Sequence, residues 1–302
     1  MYRAKSKMVH IDVEGKLNDN TYLFDGKYMN LPHFLSVYII ENNGMQLMID
    51  TPSESYVRKF LKKLQEIGLY PIHKIILTHS HCDHISGAAR VKKMIKDVDV
   101  EILASENAID NLRNPEKMND AFGIKVTPVE NVIPLKERDI VNLNGLELEV
   151  LNLFGHTMDS IGILDKKNKN LFPGDAIMVR NDNETFFPTY FPPDFHESEQ
   201  LKAYKKLKDI RNEYNSISLS HFGTWKDDGK DKLLNEMEDL YFKSKEAFIE
   251  WYKENPSIKD ITLKYRETFI PNSKRITKEN VMGFKFFIGW FIDSLKISGF
   301  IE

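Results

Sequence analysis

A cluster of three histidines and one aspartate, HSHCDH at positions 79–84, constrains the fold of this chain more than any other feature. The cluster follows directly on the apolar run KIIL at positions 74–77, which predicts a tight loop at the C-terminal end of a buried strand. Imidazole nitrogens and carboxylate oxygens are ligands for zinc, iron and similar ions. Since the chain has only nine histidines, three of them within six residues predict a metal site at the end of a sheet strand.

Three other segments place a suitable ligand after an apolar strand-like run: His156 in GHT, Asp175 in PGD and His221 in SHFG. Glycine beside each of these residues permits the tight backbone turn that aims a side chain at an ion. Each segment is a weak signal alone, because a single buried histidine more often completes a core. Together, and in this order, they indicate that the four segments converge on one site.

The order of the predicted elements indicates an α/β fold. Strand-like runs at the start of the chain predict an antiparallel meander over about 8–13, 21–24, 34–40 and 45–50. Strands and helices then alternate, with helices predicted over about 53–67, 84–96 and 197–212. From about residue 229 the pattern is wholly helical, with apolar residues on one face of each helix. We therefore predict an α/β domain with the metal site over residues 1–228 and a C-terminal helical domain over residues 229–302.

The pattern HxHxDH followed by His, Asp and His resembles the metallo-β-lactamase-fold superfamily over roughly residues 8–225. The resemblance implies an α/β fold built as a four-layer αβ/βα sandwich, here followed by the C-terminal helices. It also implies two divalent metal ions, with zinc expected and iron or manganese as alternatives. The seven implied ligands are His79, His81 and His156 on the first ion, Asp83, His84 and His221 on the second, and Asp175 between the two.

By the same resemblance the chain is a metal-dependent hydrolase. A hydroxide held between the ions would attack an ester, thioester, lactone or phosphodiester, with Asp83 orienting it as a catalytic residue. Asp50, at the end of an early strand, is expected either to support the ligand loop or to cap the following helix. Cys82 occupies a variable place in the family pattern and is not expected to bind metal.

Several functions remain open within the fold. Thioesters as in glyoxalase II are one expected substrate class, and the helical C-terminus is similar to that of a small hydrolase branch that includes lactamase-like thioesterases and a related endoribonuclease. A persulfide dioxygenase-like oxidoreductase would use one iron, and the additional ligands His84 and His221 argue against it. A flavodiiron enzyme would need a flavodoxin-like domain, which this sequence does not predict. A nucleic-acid-binding role for the C-terminal helices would need a basic face, whereas their charges nearly balance.

Composition limits which partners and which cellular compartment are expected. A net charge of −3 argues against bulk attraction to nucleic acid or anionic membrane, so a small-molecule substrate is expected, although nucleic acid and a homo-oligomer stay open. A single cysteine excludes an intrachain disulfide. The start MYRAKSKMVHIDVEG has no continuous apolar run, so we expect no signal peptide and a cytoplasmic protein.

Two aromatic segments are predicted to shape a pocket. The stretch from Met178 to Glu197 lies between two ligand segments and is expected either to overhang the metals or to fill the core. The apolar run at 281–292 is too short to span a membrane and predicts a buried helix. Because Phe286, Phe287 and Trp290 lie off its main apolar stripe, this helix must bury a second face, against the pocket or another subunit.

Overall fold

The computed structural model describes residues 9–302, and within them the strands form two seven-stranded sheets and one short hairpin. The first sheet has the order β2 (Gly15–Lys16), β3 (Thr21–Asp25), β4 (Ser36–Asn42), β5 (Met45–Ile49), β6 (Lys74–Leu77), β7 (Glu101–Ser105) and β8 (Val132–Leu135). The second has the order β1 (Val9–Ile11), β16 (Gly223–Lys226), β15 (Ser216–Leu219), β12 (Asn170–Phe172), β11 (Ile161–Asp165), β10 (Leu146–Asn152) and β9 (Ile140–Leu143). The hairpin pairs β13 (Val179–Arg180) with β14 (Phe186–Phe187).

Helices flank the sheets and close the chain. The α-helices are α1 (Val57–Glu66), α2 (Cys82–Ile85), α3 (Ala88–Met94), α4 (Ile109–Arg113), α5 (Glu116–Phe122), α6 (Glu197–Asp209), α7 (Asp228–Glu254), α8 (Ile258–Phe269) and α9 (Lys285–Ile297). Short 3₁₀ turns lie at Tyr28–Asn30, Glu54–Tyr56, Glu106–Ala108 and Val281–Phe284.

Alternating side chains place each sheet between two apolar layers, because successive residues of a strand point to opposite faces. Along β4, Tyr38 and Ile40 belong to the cluster between the sheets, together with Ile163 of β11. Their neighbour Ile39 joins Phe60 of α1 on the outer face of the first sheet. Helix, sheet, sheet and helix therefore follow one another, and the predicted four-layer sandwich is confirmed.

The outer face of the second sheet is covered by α6 and by the C-terminal helices. One buried cluster joins Trp225 of β16, Leu207 of α6, Leu233 of α7 and Phe291 of α9. Helix α7 begins next to the predicted boundary between residues 228 and 229, and the helices pack directly on the sheet. Whether the helical segment is a separate domain stays a prediction.

Two details of the sequence prediction are wrong. The first predicted strand is not part of the meander, because β1 pairs antiparallel with β16 in the second sheet, although Met8 lies outside the described residues. The helix predicted over 84–96 is broken into α2 and α3. Gly87 lies at this break, where an added Cβ would meet the carbonyl oxygen of Pro52 at 2.2 Å.

The apolar run at 281–292 forms a 3₁₀ turn and most of α9, as a buried helix. Its side chains Phe287, Ile288 and Phe291 are buried in the cluster on the second sheet. Among residues 9–302, no helix has both the length and the apolar character that crossing a membrane requires.

Candidate metal centre

The seven predicted ligands meet where four strands end. The loop with His79 and His81 follows β6 of the first sheet, while His156, Asp175 and His221 follow β10, β12 and β15 of the second. The main chain joins the sheets here, because the amide of Ile161 donates to the carbonyl oxygen of Thr78 over 2.8 Å. The site therefore lies at one edge of the sandwich, between the sheets.

Glycines shape the turns that carry these ligands. Gly155 has a φ of 137°, and an added Cβ there would lie 2.3 Å from the backbone of Gln200 in α6. Gly174 has a φ of 58°, and an added Cβ there would lie 2.9 Å from the side chain of Thr78. A larger residue at either position would push a ligand segment away from its neighbour.

The first group of ligands consists of three buried histidines, and the ligand atoms of His79, His81 and His156 lie within 4.8 Å of one another. The Nδ1 atom of His81 is 2.9 Å from Nε2 of His156. The Nε2 atom of His79 is buried and has no hydrogen-bond partner within residues 9–302. A buried nitrogen without a partner is costly, and a bound cation would satisfy it.

The second group consists of Asp83, His84 and His221, whose ligand atoms also lie within 4.8 Å of one another. Oδ2 of Asp83 is 3.5 Å from Nε2 of His84 and 3.4 Å from Nε2 of His221. Within the described chain, Nε2 of His84 is likewise buried without a hydrogen-bond partner. This group therefore has the same unsatisfied character as the first.

Asp175 lies between the two groups. Its Oδ2 atom is 3.1 Å from Nε2 of His221, 3.5 Å from Nε2 of His84 and 3.8 Å from Nε2 of His156. One carboxylate oxygen thus reaches ligands of both groups, as a residue shared by two ions must. The donor set of nitrogen and carboxylate oxygen suits zinc, iron or manganese.

Hydrogen bonds on the side of the ring away from the site orient two of the imidazoles. Nδ1 of His156 donates to the carbonyl oxygen of Thr189 over 2.6 Å, and Nδ1 of His221 donates to that of Phe34 over 2.7 Å. Because a carbonyl accepts only from a protonated nitrogen, Nδ1 of each ring carries a proton and Nε2 is the nitrogen that faces the site. Neither contact had a signal in the sequence, since the acceptors are backbone atoms.

Asp50 supports the ligand loop, one of the two roles that the sequence left open. Its carboxylate accepts from the amide of Thr78 over 2.8 Å, from the Thr78 hydroxyl over 2.9 Å and from Nδ1 of His84 over 2.8 Å. The hydroxyl of Thr78 in turn lies 3.1 Å from Nδ1 of His79. One buried carboxylate therefore fixes imidazoles of both groups.

Burial keeps the first group neutral. Burial, followed by repulsion between neighbouring imidazoles, holds the pKa of His79 and that of His81 well below the ordinary value. Burial also lowers the pKa of His156. All three rings are therefore uncharged near neutral pH, which is the state that binds a metal ion.

The other half of the site combines two imidazoles with three carboxylates. Burial lowers the pKa of His84, but Asp83, Asp50 and Asp175 outweigh it and hold this pKa well above the ordinary value. Burial also lowers the pKa of His221, but the carboxylates of Asp175 and Asp83 outweigh it and raise this pKa above its ordinary value. Burial raises the pKa of Asp175, but His221 and His84 hold it well below its usual range. Protons on the rings thus compensate buried negative charge, and a bound cation would replace them.

The remaining cysteine and histidines lie outside these groups. The thiol of Cys82 is 3.3 Å from the Tyr28 hydroxyl, and burial raises its pKa to about 12. His10 stacks on Trp225, His73 contacts the amide of Gln46, and His196 is exposed. These contacts and this exposure indicate structural or surface roles for the three histidines.

A cavity of about 680 Å³ opens over the ligands, within the range of small-molecule sites. Phe187 and Phe191 line it, whereas Phe186 and Tyr190 of the same stretch are buried in the core. Trp290 of α9 also lines it and contacts the ring of Phe122 at 5.0 Å between centroids. The second apolar face of α9 is therefore a wall of the cavity.

Comparison with known proteins agrees with this architecture. A model of the metallo-beta-lactamase superfamily matches residues 32–219, more than half of the chain. The protein belongs to the metallo-β-lactamase superfamily. A protein similar to it over nearly its whole length is a metallo-beta-lactamase family protein from Thermus thermophilus, with a TM-score of 0.69 over 94% of this chain and 95% of that one, at 17% identity.

Curated relatives resemble a shorter part of the chain. Hydroxyacylglutathione hydrolase GloC of Haemophilus influenzae is 28% identical over 145 residues, which are 47% of this chain and 65% of that protein. Human acyl-coenzyme A thioesterase MBLAC2 is 22% identical over 180 residues, which are 53% of this chain and 64% of that protein. The match thus spans just under two thirds of these relatives.

Proposed function

We propose that the protein uses two divalent metal ions, held by the seven side chains of the candidate centre, to hydrolyse a small-molecule ester or thioester. The observation that carries this proposal is the position of Asp175, whose one oxygen lies within 3.8 Å of ligands from both groups. Two complete groups of three ligands support two ions, since a single tetrahedral ion uses four ligands. When bound, such ions supply Lewis acidity toward a carbonyl oxygen and acidify water.

Asp83 has a second role in the proposal. Its carboxylate lines the cavity, and it is more exposed than the buried histidines around it. It can therefore accept a hydrogen bond from a water molecule in the cavity and orient that water toward a substrate carbonyl. The chain's other task is exclusion of solvent, for which the aromatic walls of the cavity are suited.

The cavity favours a small molecule over a nucleic acid. Its walls are rich in aromatic residues and contain one arginine, whereas phosphate backbones are bound by several basic residues. Lactones and phosphodiesters remain further candidates, and thioesters are supported by the human relative, whose name is acyl-coenzyme A thioesterase. The complete second group counts against an oxidoreductase with one iron. Cytoplasmic location and assembly into a homo-oligomer stay predictions.

A substrate panel tests this proposal. We expect the full-length protein, loaded with zinc, to cleave members of a panel of thioesters, esters, lactones, phosphodiesters and RNA. Removal of metal with a chelator should abolish cleavage, and added zinc, manganese or iron should restore it. Cleavage that persists after emission spectrometry shows the protein to be free of metal would contradict the proposal, as would oxygen uptake with a persulfide in the absence of any hydrolysis.

A further inference from the structure

The cavity has an aromatic side that adjoins the first ligand group. The ring of Phe122 lies 4.9 Å from that of His81, and the ring of Phe191 lies 5.7 Å from that of His156. Trp290 closes this side between them, with its ring 5.0 Å from Phe122 and 6.4 Å from Phe191. A substrate group that enters here contacts aromatic surface and leaves water, which favours an apolar group.

Two apolar side chains in the lining of the cavity are also open to solvent. Met29 and Leu31 line it and are 54% and 36% exposed, although both are large hydrophobic residues. Exposed apolar side chains in the lining of an aromatic cavity extend the surface that an apolar group can cover.

A guanidinium group also lines the cavity, near the second ligand group. Nη1 of Arg275 donates to the carbonyl oxygen of His33 over 3.2 Å. The ring of His33 stacks on Phe222 at 4.7 Å, and the adjacent carbonyl of Phe34 accepts from Nδ1 of His221. Arg275 is therefore held beside the second ligand group, whereas Phe122 and Phe191 contact rings of the first.

Arg275 is available to bind an anion. Among the described residues that line the cavity it is the sole lysine or arginine, and it makes no ion pair within residues 9–302. A guanidinium has five N–H donors, and one contact with His33 leaves most of them unused. The cavity's carboxylates, Asp83 and Asp175, face the histidines instead. A carboxylate or a phosphate is the group that can accept two parallel hydrogen bonds from a guanidinium.

We propose that the substrate is amphiphilic across the bond that is cleaved, with an apolar group on the aromatic side and a carboxylate or phosphate at Arg275. This inference rests on the proposed hydrolase function and names its substrate class. In this arrangement the scissile carbonyl, held at the ligands, separates the apolar and anionic parts. Arg275 acts as a specificity-determining residue that binds the anion.

Matched thioesters test the proposal, with thiol release as the readout. The octanoyl thioesters of mercaptoacetate and of mercaptoethyl phosphate place the anion in the leaving group, and a suberic acid monothioester of octanethiol places it in the acyl group. Each is compared with a neutral partner, which is the methyl ester for the two carboxylates and the dimethyl ester for the phosphate. We expect at least one anionic compound to exceed its neutral partner in kcat/KM by about tenfold or more, because a hydrogen bond to a charged group contributes that much. The favoured compound identifies the anion and its side.

Substitutions then assign the preference to Arg275. R275Q should bring the ratio of anionic to neutral kcat/KM close to one, mainly through a higher KM, and R275K should keep part of it. K274Q removes the same charge from an exposed neighbour outside the cavity lining and should leave the ratio unchanged. If R275Q were unfolded by circular dichroism, the ratio measured in R275K would decide, since Lys cannot form the bidentate contact.

The outcomes separate this inference from the function on which it rests. Hydrolysis of the neutral esters without any preference for their anionic partners would overturn the amphiphilic substrate and leave the hydrolase intact. A preference that R275Q and R275K leave unchanged would overturn the role of Arg275. No hydrolysis of any compound by the zinc-loaded protein would instead contradict the proposed function itself.

Discussion

Replacement of Asp175 by asparagine is expected to lower hydrolysis by about a thousandfold or more, because the variant weakens both metal sites together. The Oδ2 atom lies near ligands of both groups, and the amide removes its charge while keeping the side chain's volume. Activity with a cleavable thioester and bound metal per chain should be measured on the same samples. We expect both to fall in D175N.

Asp165→Asn provides the matched control for this variant. Asp165 is also a buried aspartate at a strand end of the second sheet, but it bonds to Asn168 instead of the ligands. The D165N protein should keep its full metal content and most of its activity. Equal losses in D165N and D175N would show a general effect of a missing buried carboxylate and would contradict the special position of Asp175.

Phe291→Ala is expected to reduce the free energy of unfolding by about 3–5 kcal/mol, the usual effect of truncating a buried phenylalanine. The ring is fully buried in α9 and packs at 4.8 Å from Phe191, 5.4 Å from Tyr190 and 5.8 Å from Phe248. It thus links the last helix to the segment beside the metal centre and to α7. Chemical unfolding of the zinc-loaded protein measures the loss.

Ile297→Ala is the control on the same helix, because its side chain is 61% exposed and the change should stay within about 0.5 kcal/mol. Since one buried cluster joins the C-terminal helices to the second sheet, we expect a single unfolding transition. Two separate transitions, with Phe291→Ala affecting only one of them, would contradict this coupling and support an independent C-terminal domain.

The ligand residues were predictable because their positions have a local signal. His79 follows the apolar run of β6, and Asp175 and His221 follow those of β12 and β15, so a short window of sequence shows both the strand and the polar residue after it. The layers of the sandwich follow from alternating side chains in the same windows. That these segments converge on one site was inferred from their order, and the structure brings all seven side chains together.

What the sequence could not predict depends on contacts between distant residues. The pairing of β1 with β16 joins residues more than 200 positions apart, and no local pattern specifies that partner. The carbonyls of Phe34 and Thr189 that orient two imidazoles are backbone atoms, which any residue supplies. Arg275 lies in a segment without periodicity, and its place in the cavity depends on how the helices pack.

The central claim is that two metal ions act together, and a titration of metal-free protein tests it most directly. Zinc is added in steps, and bound zinc per chain and thioester hydrolysis are measured at each step. The arrangement of six ligands in two groups around Asp175 predicts saturation at two ions per chain, with activity rising until the second ion is bound. Saturation at one ion with full activity would contradict the account.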